Sequence, residues 1–268
     1  MAALFNKPLW GSQRQNVGLW AGGLWGSQLR GVLDPLQELI RTLFGNGEQG
    51  AFYIPQPVVL GAQSLFQDAA GTVPVTADGD PVGKMQDQSP NSNSAIQSVS
   101  ANRAAYNTDG TVNFAAFDGI DDFLQATYGA AVTPPCTLSI AMRRLDSSRA
   151  AVLLTGLNVD NRHQLSINSQ GNLGAFVGGT SIIAGSLAIG DHVVTLVLNG
   201  ASSSLRVDGL VVASGTMGSV AATGLTIASV WDGSFPLNQD VYGIVHAEGI
   251  GKVDDIESYL AGLAGVTL

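Results

Sequence analysis

The chain is poor in cysteine and in charged side chains: it has a single cysteine, Cys136, and 12% of its residues are charged. One thiol excludes a disulfide within the chain, so the fold needs no oxidising compartment. We interpret Cys136, which follows two prolines at the start of a predicted strand, as a small buried residue. The three histidines stand far apart in the sequence, which therefore predicts no zinc site. No apolar run approaches the roughly 18 residues of a membrane span, so we expect no membrane insertion.

The charge that is present is distributed unevenly, and the net charge is −9. Residues 1–45 carry four basic and two acidic side chains, whereas residues 46–268 carry eight basic and nineteen acidic ones. Contacts between basic side chains and phosphates supply most of the affinity of nucleic-acid-binding proteins. The acidic body therefore argues against nucleic acid as a partner.

The leading segment, residues 1–45, differs from the rest of the chain. Six glycines between positions 11 and 31 disfavour a continuous helix there. The sequence Leu-Trp-Gly-Ser-Gln occurs at 9–13 and again at 24–28, and such large apolar side chains are costly to leave in water. They can dock on the body or on another chain, and we favour another chain because exposed aromatics suit interface anchors. The predicted anchoring residues are Leu9, Trp10, Leu19, Trp20, Leu24 and Trp25.

Two helices are predicted, one near each end of the chain. Asp34 can cap the first, Pro35 suits its first position, and Gly45 ends it in the manner of a C-terminal glycine. A helix this short is unstable alone, so its apolar face must pack against something. The second helix is predicted over residues 253–264, where acidic residues in the first turn favour the helix dipole.

Between the helices the pattern is that of many short strands. Residues 193–198 are apolar on both faces, which predicts a strand in the centre of a sheet. Asp208 and Gly209 separate two strand-like runs and form a favoured two-residue hairpin turn. Repeated strands with no long helix between them predict a β-sandwich.

Two stretches carry a resemblance to a known fold family. They are FDGIDDFL at residues 117–124 and LRVDGLVV at residues 205–212. Together they resemble the laminin-G-like, concanavalin-A-like jelly-roll family. The resemblance implies an all-β fold: a jelly-roll sandwich at 46–268, preceded at 1–45 by an extended N-terminal arm with one short helix, and ending with a C-terminal helix.

A second resemblance covers most of residues 46–125. The stretches GEQGA at 47–51, SLFQDAAGTVPVT at 64–76 and GDPVGKMQD at 79–87 resemble the opening segment of structural proteins of tailed bacteriophages and prophages. This implies a structural protein of the virion, either a tail-tip or fibre-like component or a capsid decoration protein. Other virion proteins are then the expected partners of the arm, and a homo-oligomer is the expected state, since virion proteins come in symmetric copies.

Glycoside hydrolysis is the enzymatic alternative, because the jelly-roll family houses glycanases. The reaction needs two carboxyl groups that face each other across the sugar bond. Hydrolases of this fold carry a Glu-x-Asp-x-x-Glu strand, and none of the four glutamates lies in that pattern. Asp121 and Asp122 are adjacent, and in a strand they point to opposite faces. We therefore expect no enzymatic activity.

Two ligand sites stay open at this point. Asp118, Asp121 and Asp122 offer carboxylate oxygens of the kind that a calcium ion requires, although aspartate is also an ordinary turn residue. Trp231 and Tyr106 are aromatic residues of the body that could bind a host surface glycan. A carbohydrate-binding host-recognition module is thus the alternative to a purely structural role, and the two can hold together.

Overall fold

Two large antiparallel β-sheets, one two-stranded β-sheet and two α-helices build the part of the chain that the structure describes. The structure is a computed structural model, and it describes residues 34–145 and 150–268. Within those ranges, neither helix has the length and apolar content that a membrane crossing requires. The predicted anchors of the arm lie outside the described residues: Leu9, Trp10, Leu19, Trp20, Leu24 and Trp25.

The helices are α1 (Pro35–Phe44) and α2 (Val253–Ala264). The strands, in chain order, are β1 (Gly50–Tyr53), β2 (Val58–Val59), β3 (Ala62–Gln63), β4 (Leu65–Phe66), β5 (Lys84–Met85), β6 (Ala95–Ile96), β7 (Ala105–Thr108), β8 (Asn113–Asp118), β9 (Leu124–Val132), β10 (Cys136–Arg144), β11 (Ala151–Thr155), β12 (His163–Ile167), β13 (Asn172–Val177), β14 (Thr180–Ser186), β15 (Gly190–Leu198), β16 (Ser203–Val207), β17 (Leu210–Gly215), β18 (Ala222–Ile227) and β19 (Asn238–Glu248).

All of these strands except β2 and β3 form two large sheets that face each other, and β2 and β3 pair only with each other. The first sheet has the order β17-β16-β15-β10-β19-β8-β7, and β1 pairs with the second half of β19. The second sheet has the order β14-β13-β12-β11-β18-β9-β6-β5-β4. One apolar core lies between them, built by side chains such as Phe117, Leu138 and Ile140 from the first sheet and Leu165 and Ile227 from the second. The all-β jelly-roll sandwich predicted from the sequence is confirmed.

Both helices pack on the outer face of the first sheet. Leu39 of α1 and Leu260 of α2 are buried in one cluster with Phe52, Val193 and Val245 of the sheet. Burial of this kind contributes about 1.5–3 kcal/mol for each large apolar side chain. The short helix therefore has the packing partner that its length requires.

The position of α1 corrects two expectations. The compact unit spans Asp34–Leu268, so α1 is part of the sandwich domain, whereas the sequence predicts a boundary after residue 45 with α1 in the arm. The apolar face of α1 is buried on its own sheet, so it is not free to insert into neighbouring subunits as part of an anchoring arm. An arm that anchors the protein would have to be the segment before Asp34.

The start of α1 follows the prediction, and its end has a different cause. The Asp34 carboxylate accepts the main-chain N–H of Leu36 at 2.8 Å, and Pro35 is the first helical residue. Gly45 has φ −71°, which is right-handed, so it is not a left-handed cap. A Cβ at Gly45 would collide with the carbonyl oxygen of Arg41, which is the reason for a glycine here.

Three predictions for the second half of the chain are confirmed. Strand β15 lies between β10 and β16, and residues 193–198 are buried. Asp208 and Gly209 join β16 to β17 with φ of 49° and 79°, the positive values that a primed hairpin turn requires. Helix α2 spans Val253–Ala264 as predicted.

The stretch at 117–124 is not a single strand. Strand β8 ends at Asp118 in the first sheet, and β9 begins at Leu124 in the second. Residues 119–123 therefore carry the chain from one sheet to the other. Asp121 and Asp122 both lie in this crossing, so the prediction that they point to opposite faces of a strand is wrong.

Candidate functional site

A groove of about 420 Å³ lies on the outer face of the second sheet. Gln164 and Ser166 line it from β12, where they are the outward members of an alternating strand. Trp231 and Phe235 line it from the loop between β18 and β19, and Arg162 lies just before β12. We call this site the Trp231 groove.

The loop that carries Trp231 is held by hydrogen bonds. The buried hydroxyl of Ser229 donates to the carbonyl of Ser234 at 3.0 Å, and the side chain of Gln125 donates to the carbonyl of Trp231 at 2.7 Å. The Asp232 carboxylate accepts the hydroxyl of Ser234 at 2.6 Å and its N–H at 2.9 Å. These two bonds lower the pKa of Asp232 and keep it ionised. A loop braced in this way loses little conformational entropy when a ligand binds.

Arg162 is held by aromatic rings. Its guanidinium carbon lies 4.2 Å from the ring centroid of Phe176 and 5.6 Å from that of Trp231. Such cation–π contacts fix a guanidinium group without an acid partner. Burial lowers the pKa of Arg162, but an arginine stays charged in proteins. Within the described ranges no hydrogen-bond partner reaches its Nε atom.

Phe235 lies at the edge of the groove in a strained conformation. Its φ is +54°, in the left-handed region that disfavours residues with a side chain, and 58% of the residue is exposed. Strain of this kind costs about 1–3 kcal/mol and collects at functional sites. The strained backbone at Phe235 therefore lowers the stability of the fold, while its aromatic ring is exposed to solvent.

The two aromatic residues predicted to bind a glycan, Trp231 and Tyr106, differ in their exposure. Trp231 is half-buried and lines the groove. Tyr106 is 5% exposed, and its hydroxyl donates to the side chain of Asn113 at 2.5 Å, so its ring cannot offer a face to a sugar. Arg162 and Gln164 also line the groove, and they are not among the site residues predicted from the sequence. The alternation of polar and apolar residues in β12 is the signal that could have placed Gln164 outside.

The three aspartates of the crossing come together. Carboxylate oxygens of Asp118, Asp121 and Asp122 lie within 4.8 Å of one another. Asp122 is buried and accepts the N–H of Asp118 at 3.2 Å. Burial, and then the charges of its two neighbours, raise the pKa of Asp122 to about 6. The internal hydrogen bond fits a simple turn, and calcium binding stays a prediction.

We expect Asp122→Asn to stabilise the calcium-free protein at pH 7.5 and to have no effect near pH 4. The pKa of this carboxyl is about 6 in the folded chain and 3.8 in the unfolded one. The folded state therefore binds more protons between these values, and stability falls as the pH rises through them. Asparagine removes the charge that causes this loss. Urea denaturation at both pH values measures the difference.

Two comparisons make this test specific. Asp232→Asn should act in the opposite direction and destabilise at pH 7.5, because hydrogen bonds lower the pKa of Asp232. If calcium binds, millimolar Ca²⁺ should stabilise the wild type more than Asp122→Asn. A variant that is less stable than the calcium-free wild type at both pH values would contradict the pKa argument.

The structure also gathers a thiol and two imidazoles in the core. Cys136 and His163 are 27 residues apart, and His163 and His246 are 83 apart, yet their donor atoms lie within 4.8 Å of one another. The expectation that residues so far apart in the sequence do not form a cluster is therefore wrong. The sequence carries no local signal for this cluster, because each residue comes from a different strand.

Comparison with known proteins identifies the fold and no closer relationship. No family model matches the chain, and no curated protein sequence matches it. An arabinofuranosidase complexed with arabinofuranosyl-alpha-1,2-xylobiose superposes with a TM-score of 0.57 and 13% identity, over 87% of this chain and 65% of that one. Trypanosoma rangeli sialidase in complex with sialic acid superposes with a TM-score of 0.50 and 16% identity, over 86% of this chain and 37% of that one.

These similarities define the class of the protein. The chain spans between 37% and 65% of the length of the two solved structures. Identities this low show a shared fold, and one fold serves many functions. The protein is a jelly-roll β-sandwich.

Proposed function

We propose that this protein is a non-enzymatic carbohydrate-binding sandwich and that the Trp231 groove is its binding site. The observation that carries the proposal is the half-buried Trp231 ring beside the outward amide and hydroxyl groups of Gln164 and Ser166. Aromatic rings pack against the apolar faces of sugars, and a few fixed polar groups orient the hydroxyls. The two solved structures of similar fold are both complexes with a saccharide, which supports the proposal.

The charge of the groove favours neutral saccharides. Among the described residues that line it, Arg162 is the one cation and Asp232 the one carboxylate. Their charges balance locally, and the body as a whole is acidic. An anionic polysaccharide would be repelled by that body. We therefore expect neutral oligosaccharides to bind with little dependence on salt.

The same lining supports binding without hydrolysis. A glycosidase needs two carboxyl groups about 5–9 Å apart across the bond. The described lining of the groove has only Asp232. Asp118, Asp121 and Asp122 belong to the stretch that crosses between the sheets and do not line the groove. We propose that the bound saccharide leaves the groove unchanged.

A glycan array probed with the full chain tests the proposal. We expect binding to neutral oligosaccharides, confirmed by calorimetry at low and high salt, with no shortened product on chromatography. An array with no bound glycan of any class would sink the proposal. Turnover of a bound glycan would overturn its non-enzymatic part.

A second proposal concerns assembly and rests on the sequence before Asp34 and on the stretches at 47–87. The repeated Leu-Trp-Gly-Ser-Gln and the phage-like stretches at 47–87 support a structural protein of a phage virion. In this proposal the arm anchors the protein to other virion subunits and the sandwich faces outward, where a host surface glycan would meet the Trp231 groove. Tail-tip, fibre-like and capsid-decoration positions all fit this arrangement.

We expect the full chain to form a defined oligomer and residues 34–268 to be a folded monomer. The truncation keeps the whole compact unit and removes the apolar arm. Light scattering after size exclusion measures both masses. Full-length protein with Trp10, Trp20 and Trp25 replaced by alanine is the matched control and should also be monomeric. An oligomer that survives both changes would show that the arm is not the assembly device.

A further inference from the structure

Three donor side chains meet between the two sheets. Cys136 comes from β10 and His246 from β19 of the first sheet, whereas His163 comes from β12 of the second. Each of them is at most 1% exposed. The Nδ1 atom of His163 lies 3.1 Å from Nε2 of His246 and 3.7 Å from Sγ of Cys136.

We propose that Cys136, His163 and His246 form a zinc site that joins the two sheets. One thiolate and two imidazoles are a donor set that Zn²⁺ accepts readily. Tetrahedral zinc with ordinary bond lengths places two nitrogen ligands about 3.3 Å apart and a nitrogen and a sulfur about 3.6 Å apart. The observed separations of 3.1 and 3.7 Å need shifts of only tenths of an ångström.

The outer nitrogens of both imidazoles have the partners that zinc ligands use. The Nε2 atom of His163 lies 2.7 Å from the carbonyl oxygen of Val220, so this nitrogen carries the proton and donates it. The Nδ1 atom of His246 lies 3.1 Å from the hydroxyl of Tyr128. Metal-bound histidines almost always use their second nitrogen in this way, which fixes the ring and the tautomer. The inner nitrogens, Nδ1 of His163 and Nε2 of His246, are left facing each other and the thiol.

A neutral hydrogen-bond chain is the alternative use of the same atoms. The Val220 carbonyl makes Nδ1 of His163 an acceptor, so His246 would donate from Nε2 and accept the Tyr128 hydroxyl at Nδ1. Burial lowers the pKa of both histidines, which keeps them neutral, and raises the pKa of the Cys136 thiol to about 12. Zinc would displace that thiol proton and move the His246 proton to Nδ1. The two arrangements thus differ in a thiolate that can be observed.

The role of the ion follows from where its ligands lie. Three protein ligands leave one position of tetrahedral zinc to a water molecule, as in catalytic sites. The cluster is nevertheless buried, so no substrate can reach it. Ligands from both sheets make the ion a cross-link, which stabilises the folded state because the unfolded chain does not hold the site together.

Refolding of the full chain with metal tests the proposal. The chain is unfolded in guanidinium chloride with a chelator, refolded with Zn²⁺, with Co²⁺ or without metal, and freed of excess ion by gel filtration. We expect one zinc ion per chain and a higher midpoint of thermal unfolding with zinc. We also expect a thiolate-to-cobalt charge-transfer band in the Co²⁺ form.

Two variants make the result specific. Cys136→Ser should lose the charge-transfer band and bind zinc more than about a hundredfold more weakly, since loss of an outer partner alone costs 10–100-fold. His192→Gln removes the histidine outside the cluster and should bind zinc as the wild type does. The proposal is overturned if the wild type retains no metal, or if Cys136→Ser retains as much. If Cys136→Ser does not fold, the charge-transfer band of the wild-type Co²⁺ form is the deciding measurement. Absence of that band would overturn the zinc site in favour of the neutral hydrogen-bond chain.

Discussion

Replacing Arg206 with alanine is expected to lower the free energy of unfolding by about 3–5 kcal/mol. Arg206 lies on β16 and joins α2 to the first sheet. Its Nε and Nη2 atoms donate to the two carboxylate oxygens of Glu257 at 2.8–3.1 Å, and Nη2 also donates to the carbonyl of Gly209 at 2.9 Å. The Glu257 side chain is 1% exposed, so the alanine variant leaves a buried carboxylate without its cation. Urea denaturation measures the loss.

Two controls separate the buried charge from charge in general. Lys252→Ala breaks the exposed pair with Asp255, whose atoms are 3.3 Å apart, and should cost less than about 1 kcal/mol. Replacing Arg206 and Glu257 together by leucine removes both buried charges and should recover most of the stability lost in Arg206→Ala. A double variant no more stable than Arg206→Ala would show that packing, rather than the unpaired carboxylate, causes the loss.

Replacing Trp231 with alanine is expected to weaken saccharide binding by about 30-fold or more, equivalent to about 2 kcal/mol. This prediction rests on the proposed carbohydrate-binding function. The ring supplies the apolar wall of the groove and also supports the Arg162 guanidinium at 5.6 Å. Its removal takes away the stacking surface and loosens a neighbouring polar group. Calorimetry with the best glycan from the array measures the change.

The matched control for Trp231 is Phe66 in β4. Phe66 lies in the same sheet with a cation over its ring, the Nζ atom of Lys84 at 5.9 Å, but it does not line the groove. Phe66→Ala should leave the affinity unchanged. Thermal unfolding of both variants checks that the sandwich is intact. If Trp231→Ala and the wild type bind the saccharide with equal affinity, the Trp231 groove is not the binding site.

Elements built from neighbouring residues could be predicted. Asp34 and Pro35 specify the start of α1, because a cap needs only the next few residues. The Asp208-Gly209 turn follows from two adjacent residues that tolerate positive φ. The sequence predicts the end of α1 at Gly45 but not its cause, because the close approach of the Arg41 carbonyl oxygen exists only in the folded helix.

Sites built from distant residues could not be predicted in the same way. Trp231 was a candidate from its turn, whereas Arg162 joined it only through the pairing of β11 with β12 and with β18. Tyr106 is an aromatic residue of a type that often contacts sugars, but its side chain is packed in the core. Burial depends on which face of a strand meets the opposite sheet, and a single strand with mixed residues leaves that face undecided.

The sequence by itself determined the sandwich, its terminal helices and its acidic, disulfide-free character, since these follow from composition, alternation and local turn chemistry. The tertiary structure alone decided that residues 119–123 cross between the sheets, that α1 packs on its own sheet, and that Cys136, His163 and His246 meet. The physical reason is that strand order and register are properties of the whole chain: they emerge when two sheets bury one core, and residues far apart in sequence acquire a common environment only then.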